Sequence, residues 1–154
     1  MTHEEKALNY FSSNFNCSQS VLAAFSGEVG IEEKTALMLA TNFGGGARKA
    51  EMCGAVSGAL MVLGMMFGHC ESENNDAKSR AYRISEQFMN RFIEKNGSVV
   101  CRDLLGYDLT LPDDKKIIAE KNLFKTRCPE LIASAVNVLV MACNSFASFF
   151  SFVA

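Results

Sequence analysis

From Gly44 to Gly68 the chain reads GGGARKAEMCGAVSGALMVLGMMFG, and no other stretch limits the fold as much. Gly44, Gly45 and Gly46 can take positive φ or let another backbone approach closely. From Met52 to Gly68 there is no charge and no proline, and a run of that length and composition predicts a buried helix. Gly54, Gly58, Gly64 and Gly68 recur at intervals of four or six, on nearby sides of it. Each glycine costs about 1 kcal/mol of helix propensity against alanine, so their number implies that neighbouring helices or a ligand come very close. Cys53 falls where the glycine loop becomes the helix, where unpaired N–H groups and the helix dipole favour negative charge. With Arg48 and Lys49 just upstream, its thiol is expected to have a lowered pKa, although Glu51 opposes this. The plain alternative is a small buried cysteine in a close-packed helix.

The rest of the chain reads as helices around this one. Thr2-His3-Glu4-Glu5 forms a capping box and predicts a helix from about Glu4 to Ser13. Asn16 followed by Gln19 opens a second helix at Cys17. Ile31–Phe43 reads as a third, closed by the triple glycine. Ala77, Ala81, Ile84, Phe88 and Phe92 mark a long amphipathic helix ending at Gly97. Ser98 caps a short helix through Cys101, Pro112 suits a first helical position, and Cys128-Pro129 reads as the start of the last helix. With two prolines and no alternating strand pattern, the expected fold is all-α: a compact multi-helix bundle around the glycine-rich helix, residues 1–154 forming a single helical domain.

Charge and composition exclude some functions. A net charge of −2 without a basic run gives no support for nucleic-acid binding. MTHEEKALNYFSS at the N-terminus is acidic and polar, unlike a secretory signal, which predicts a cytoplasmic protein in which disulfides are transient. Leu131–Ala154 is uncharged and long enough to span a bilayer. Ser134, Asn137, Asn144, Ser145, Ser148 and Ser151 interrupt it, however, and Leu131, Ala135, Val138, Ala142, Phe146, Phe149 and Val153 form a helical stripe. A core helix is the better reading than a membrane span. The cluster Phe146, Phe149, Phe150 and Phe152 predicts a homo-oligomer joined through the C-terminal helix.

Six cysteines need a reason in such a chain. Cys17, Cys53, Cys101 and Cys128 each fall at the cap or in the first turn of an expected helix, where thiolates are stabilised; Cys70 and Cys143 do not. Their spacing matches no local zinc-finger, thioredoxin or ferredoxin pattern, so any shared site must be assembled by the fold. His69 beside Cys70 has no third ligand nearby, His3 reads as solvated, and the methionines read as core filler. Gly44–Gly46 lacks the GK[ST] of a phosphate loop.

NCSQSV around Cys17, FGGGARKAEMCGAVSGALMVLG around Cys53, CRDLLG at Cys101 and CPELI at Cys128 resemble the redox-active family named C_GCAxxG_C_C. Its CGAxxG hallmark stands here as Cys53-Gly54-Ala55-Val56-Ser57-Gly58. The resemblance spans roughly residues 5 to 143, keeps all four cysteines in order, and implies a functional set of Cys17, Cys53, Cys101 and Cys128. Selenocysteine replaces a cysteine in some members, which implies redox chemistry. Three functional readings stay open. The first is a thiol oxidoreductase in which Cys53, activated by Arg48, attacks and Cys17, Cys101 or Cys128 resolves, with a redox partner the sequence does not identify. The second is a zinc or iron–sulfur site on the same four thiolates. The third is a helical interaction module with structural cysteines.

Overall fold

The computed structural model describes the backbone of residues 1–151 and the side chains of residues 1–146. Nine α-helices and no β-strand occur among the described residues, so the all-α expectation holds. Helix α1 (His3–Ser12) begins with the expected capping box at Thr2 and Glu5. Helix α2 (Cys17–Ala24) begins with a second one, in which Asn16 accepts from the Gln19 N–H and Gln19 accepts from the Asn16 N–H, both at 3.0 Å. Short α3 (Ser26–Val29) and α4 (Glu33–Ala40) follow, then the glycine loop and α5 (Gly54–Phe67). Helix α6 (Asn75–Asn96) is capped by Asn74 and buries Ala77, Ile84, Phe88 and Phe92 along one face. Helices α7 (Cys101–Leu105), α8 (Pro112–Glu120) and α9 (Leu123–Ser151) complete the chain.

Helices α2 and α5 form the centre, and the motif glycines explain how closely they cross. A Cβ on Gly58 would stand 2.7 Å from the Ser18 carbonyl oxygen and 3.1 Å from Val21 Cβ. A Cβ on Gly54 would overlap Cys17 Sγ and stand 2.9 Å from the Phe43 carbonyl oxygen. Backbone lies against backbone here, which only glycine permits. Gly64 meets nothing and is exposed together with Met65, so only the first half of the glycine series serves packing. Helix α2, with six of its eight residues buried, is enclosed more completely than α5, with seven of fourteen. A short helix lying between its neighbours is covered on every side, whereas the last turns of α5 emerge from the bundle.

Helix α9 corrects the sequence reading at its start. It begins at Leu123, so Cys128 lies in its second turn and Pro129 lies inside it. The preference of proline for a first helical position is overridden by packing. Asn122, at φ 55°, ends α8, and its carbonyl accepts from the Lys125 and Thr126 amides. Arg127 Nε then donates to the Leu104 carbonyl at 3.3 Å, fastening the extra turn to α7. Among the described residues α9 alone is long and apolar enough to cross a membrane. Its face of Leu131, Ile132, Ala135, Val136, Val138, Leu139 and Ala142 is buried against α1, α2, α5 and α6, and 39% of its apolar window is buried in all. Phe146 packs edge-on against Phe67 at 5.8 Å. The oligomer interface expected of Phe149, Phe150 and Phe152 falls outside the described side chains.

The buried residues form two clusters. The larger takes in α1, α2, α4, α5, α6 and α9, with Cys53 inside it and Cys17 packed against it. The smaller is built from Ala50, Cys101, Leu105, Leu109 and Ile118, with Cys128 and Leu123 packed against it. The seam between them brings two cysteines from each side.

Candidate functional site: a four-cysteine cavity

Each cysteine reaches the seam by a different local device. Cys17 is the first residue of α2, whose start is tied to the end of α4. Asn16 Nδ2 donates to the Thr41 carbonyl at 2.7 Å and Gln19 Nε2 to the Leu37 carbonyl at 2.9 Å. The missing Cβ of Gly54 leaves the space that the Cys17 sulfur occupies. Cys53 is the N-cap of α5. Met52 and Val100 form an isolated antiparallel bridge, in which the Cys53 N–H donates to the Val99 carbonyl at 2.8 Å and the Cys101 N–H donates to the Glu51 carbonyl. This bridge, far too short to count as a sheet, joins residues nearly fifty positions apart and delivers Cys53 and Cys101 together. Arg102 clasps it from outside, donating to Glu51 Oε1 at 2.7 Å and to the Ala50 carbonyl at 3.3 Å. Cys128 arrives from α9.

The four thiols line one cavity of about 280 Å³. Arg48 and Gly45 border it on the loop side, and Phe11, Phe15, Phe124, Leu105 and Leu131 supply apolar walls. Cys70 and Cys143 stand apart: Cys70 is exposed beyond α5, and Cys143 Sγ contacts Met66 Sδ at 3.4 Å. All six are free thiols. His69 is exposed, its Nδ1 3.2 Å from the Glu71 carbonyl oxygen, and takes no part; His3 pairs with Glu28 at 2.7 Å. The set Cys17, Cys53, Cys101, Cys128 and Arg48 is therefore brought together, and the residues set aside from the sequence stay apart.

Arg48 is held there by unusual backbone. Gly45, Gly46, Ala47, Arg48 and Ala50 all have φ between 54° and 63°, a left-handed turn in which the Glu51 N–H donates to the Gly46 carbonyl at 3.2 Å. Such a conformation costs a non-glycine residue about 1–2 kcal/mol, and Ala47, Arg48 and Ala50 all adopt it. Strain of this kind persists where the surroundings enforce it and clusters at functional sites. A Cβ on Gly45 would stand 2.6 Å from Arg48 Nη1, so the guanidinium folds back over the glycine.

The electrostatics overturn the expected activation of Cys53. Burial pushes its thiol up to about 12, and the charge of Cys17 and, further down, of Cys101 adds to this; the amides of Ala55 and Val56 pull the other way. The helix start thus acts as expected, but removal from water and neighbouring thiolates outweigh it. Burial, then Cys17, raises Cys101 to about 11, and it is Cys101 that Arg48 favours as thiolate. Cys128 is raised further, by burial and then by the other three sulfurs. Cys17 is raised by burial alone, against the amides of Gly45, Ser18, Cys17 itself and Gly54. Glu51, the expected opponent of Cys53, is paired outward with Arg102.

The site is therefore a set of thiols that burial keeps protonated, each disfavouring ionisation of its neighbours. Among the described residues no three His, Cys, Asp or Glu side chains are set to hold a metal ion. The apolar walls from Phe11, Phe15 and Phe124, and the tie from Asn16 Nδ2 to the Thr41 carbonyl, carry no signal that local sequence reading picks up, because they depend on which helices meet.

No curated protein and no solved structure matches the chain. A family model does: "Putative redox-active protein (C_GCAxxG_C_C)" covers residues 15–142, a span that holds all four cysteines of the cavity. Within that span, Gly54 and Gly58 are the two glycines that let α5 meet α2, and Cys53 beside them is one wall of the cavity; the chain belongs to the C_GCAxxG_C_C family of redox-active proteins.

Proposed function

We propose that this protein performs thiol–disulfide exchange within the four-cysteine cavity. Two thiols give up two electrons and two protons to a disulfide and become a disulfide themselves, while the substrate leaves as two thiols. One observation carries the reading: Cys17, Cys53, Cys101 and Cys128, from four separate segments, share one cavity while Cys70 and Cys143 lie elsewhere. The raised pKa values fit a reduced form that is quiescent at neutral pH. A buried thiol that does ionise is a strong nucleophile, since nucleophilicity rises with pKa.

The test is oxidation of the reduced chain with a small disulfide, followed by peptide mapping. An intramolecular disulfide joining two of the four cavity cysteines is expected, with Cys70 and Cys143 outside it. A chain that forms no such bond overturns the reading. The repulsion that would arise if these thiols ionised together is what a bound cation would relieve, so elemental analysis of the purified protein belongs beside the mapping. Stoichiometric zinc or iron lost on substituting these cysteines would replace exchange with ligation.

A further inference from the structure

Resting on the thiol–disulfide reading, we infer that the cavity takes a small-molecule disulfide with an apolar body and a negatively charged group, and that Cys17 is the sulfur that attacks it. A second hollow of about 690 Å³ shares the Phe11, Asn14, Phe15 and Phe124 walls of the cysteine cavity and adds Leu8, Pro129 and Lys125. The approach to the thiols is thus lined by aromatic and aliphatic side chains. The charged groups on the two linings, among the described residues, are Arg48 and Lys125, both cations, on a chain whose net charge is −2. Among the acids outside the two linings, Glu51 pairs with Arg102, Glu130 pairs with Arg127, and Asp108 Oδ1 accepts from the Thr110 N–H and hydroxyl. Asp108 still acts on Cys101 from beyond the lining. Apolar walls with cations and no lining carboxylate select an apolar anion over a cation.

Cys17 is singled out by its surroundings. Cys17 and Cys128 are both partly open, whereas Cys53 and Cys101 are buried; of the two, Cys17 has its Sγ lodged against Gly54 at the start of α5. Backbone amides from the loop at Gly45 and from the starts of α2 and α5, at Ser18 and Gly54, face its sulfur, where a developing thiolate is stabilised. The Cys17 thiolate attacks one substrate sulfur, the substrate S–S bond breaks, and the departing thiolate takes up a proton. A second cavity thiol loses its proton and attacks Cys17 Sγ. The mixed disulfide breaks, the other half of the substrate leaves as a thiol, and one protein disulfide remains.

The test uses the reduced full-length chain carrying Cys70→Ser, which removes the exposed thiol outside the cavity. Its rates with dithiobis(nitrobenzoate), an aromatic dianion, with neutral dithiodipyridine and with cationic cystamine are each divided by the rate of a free cysteine derivative under the same conditions. The anion is expected to lead the neutral aromatic by about fivefold, the scale of one exposed charge pair, and cystamine to come last. The lead should shrink as salt is raised and vanish in Arg48→Gln/Lys125→Gln. Rapid acid quenching and peptide mapping should place the first adduct on Cys17. A first adduct on Cys53, Cys101 or Cys128 overturns the inference, as does a rate order indifferent to charge, salt and the double substitution; in each case the exchange reading stands. Failure of every cavity thiol to react with any of the three disulfides overturns the exchange reading itself.

Discussion

Gly58 sits where α5 crosses α2, and replacing it with alanine sets two effects of opposite sign against each other. Alanine is better than glycine within a helix by about 1 kcal/mol. The new Cβ, however, would lie 2.7 Å from the Ser18 carbonyl oxygen and 3.3 Å from Ser18 Cα. These are backbone atoms that cannot rotate away, so the helices must separate by several tenths of an ångström. Overpacking of this kind costs about 1–3 kcal/mol, occasionally more, and the net expectation for Gly58→Ala is a loss of up to about 2 kcal/mol. Gly64 is the control, because it lies in the same helix with nothing near its ideal Cβ. Gly64→Ala should gain about 0.5–1 kcal/mol from propensity. For a chain of this size each kcal/mol moves the melting point by roughly 2–4 °C, so the two variants should melt on opposite sides of the parent. Thermal melts followed by circular dichroism, with urea titrations to check that the m-value is unchanged, make the measurement. A Gly58→Ala variant as stable as Gly64→Ala would refute the close-crossing account of the CGAxxG motif.

Three further outcomes are expected. Because Cys53 and Cys101 bind their protons more tightly folded than the ordinary thiol value of 9.0, the unfolded chain ionises first. Stability should therefore be level below about pH 9 and fall as pH rises toward the folded values near 11 and 12; denaturant titrations across that window should flatten in Cys53→Ala, and a rise in stability with pH would contradict the assignment. Arg102→Ala removes a half-exposed ion pair and the bond to the Ala50 carbonyl, and should lower the urea midpoint only slightly while bringing forward the alkylation of Cys101; unchanged alkylation would mean that the bridge does not depend on its clasp. The phenylalanine-rich end predicts self-association, so sedimentation of the full chain should show a dimer or larger species, dissociating in a chain truncated after Phe146; a full-length monomer at micromolar concentration would dispose of that reading.

The local parts of this molecule were legible in the chain. Two capping boxes, the long amphipathic helix stopped at Gly97 and the proline opening α8 are set by hydrogen bonds and apolar periodicity within a few residues, and the structure reproduces them. Family membership and the four-cysteine set were legible as well, because the motif keeps its order whatever the fold. The start of α9 was misread at Pro129, where contacts with α7 outweigh a local preference. The sign of the Cys53 shift was misread for a related reason: a helix terminus is a local property, whereas burial and the charge of Cys17 come from residues distant in sequence. The bridge between Met52 and Val100, the left-handed turn carrying Arg48 and the seam between two packed clusters involve pairings that cost chain entropy and form only when the whole core forms. Sequence by itself determined the family and the order of its four cysteines; the tertiary structure alone decided that those cysteines share one cavity walled by phenylalanine.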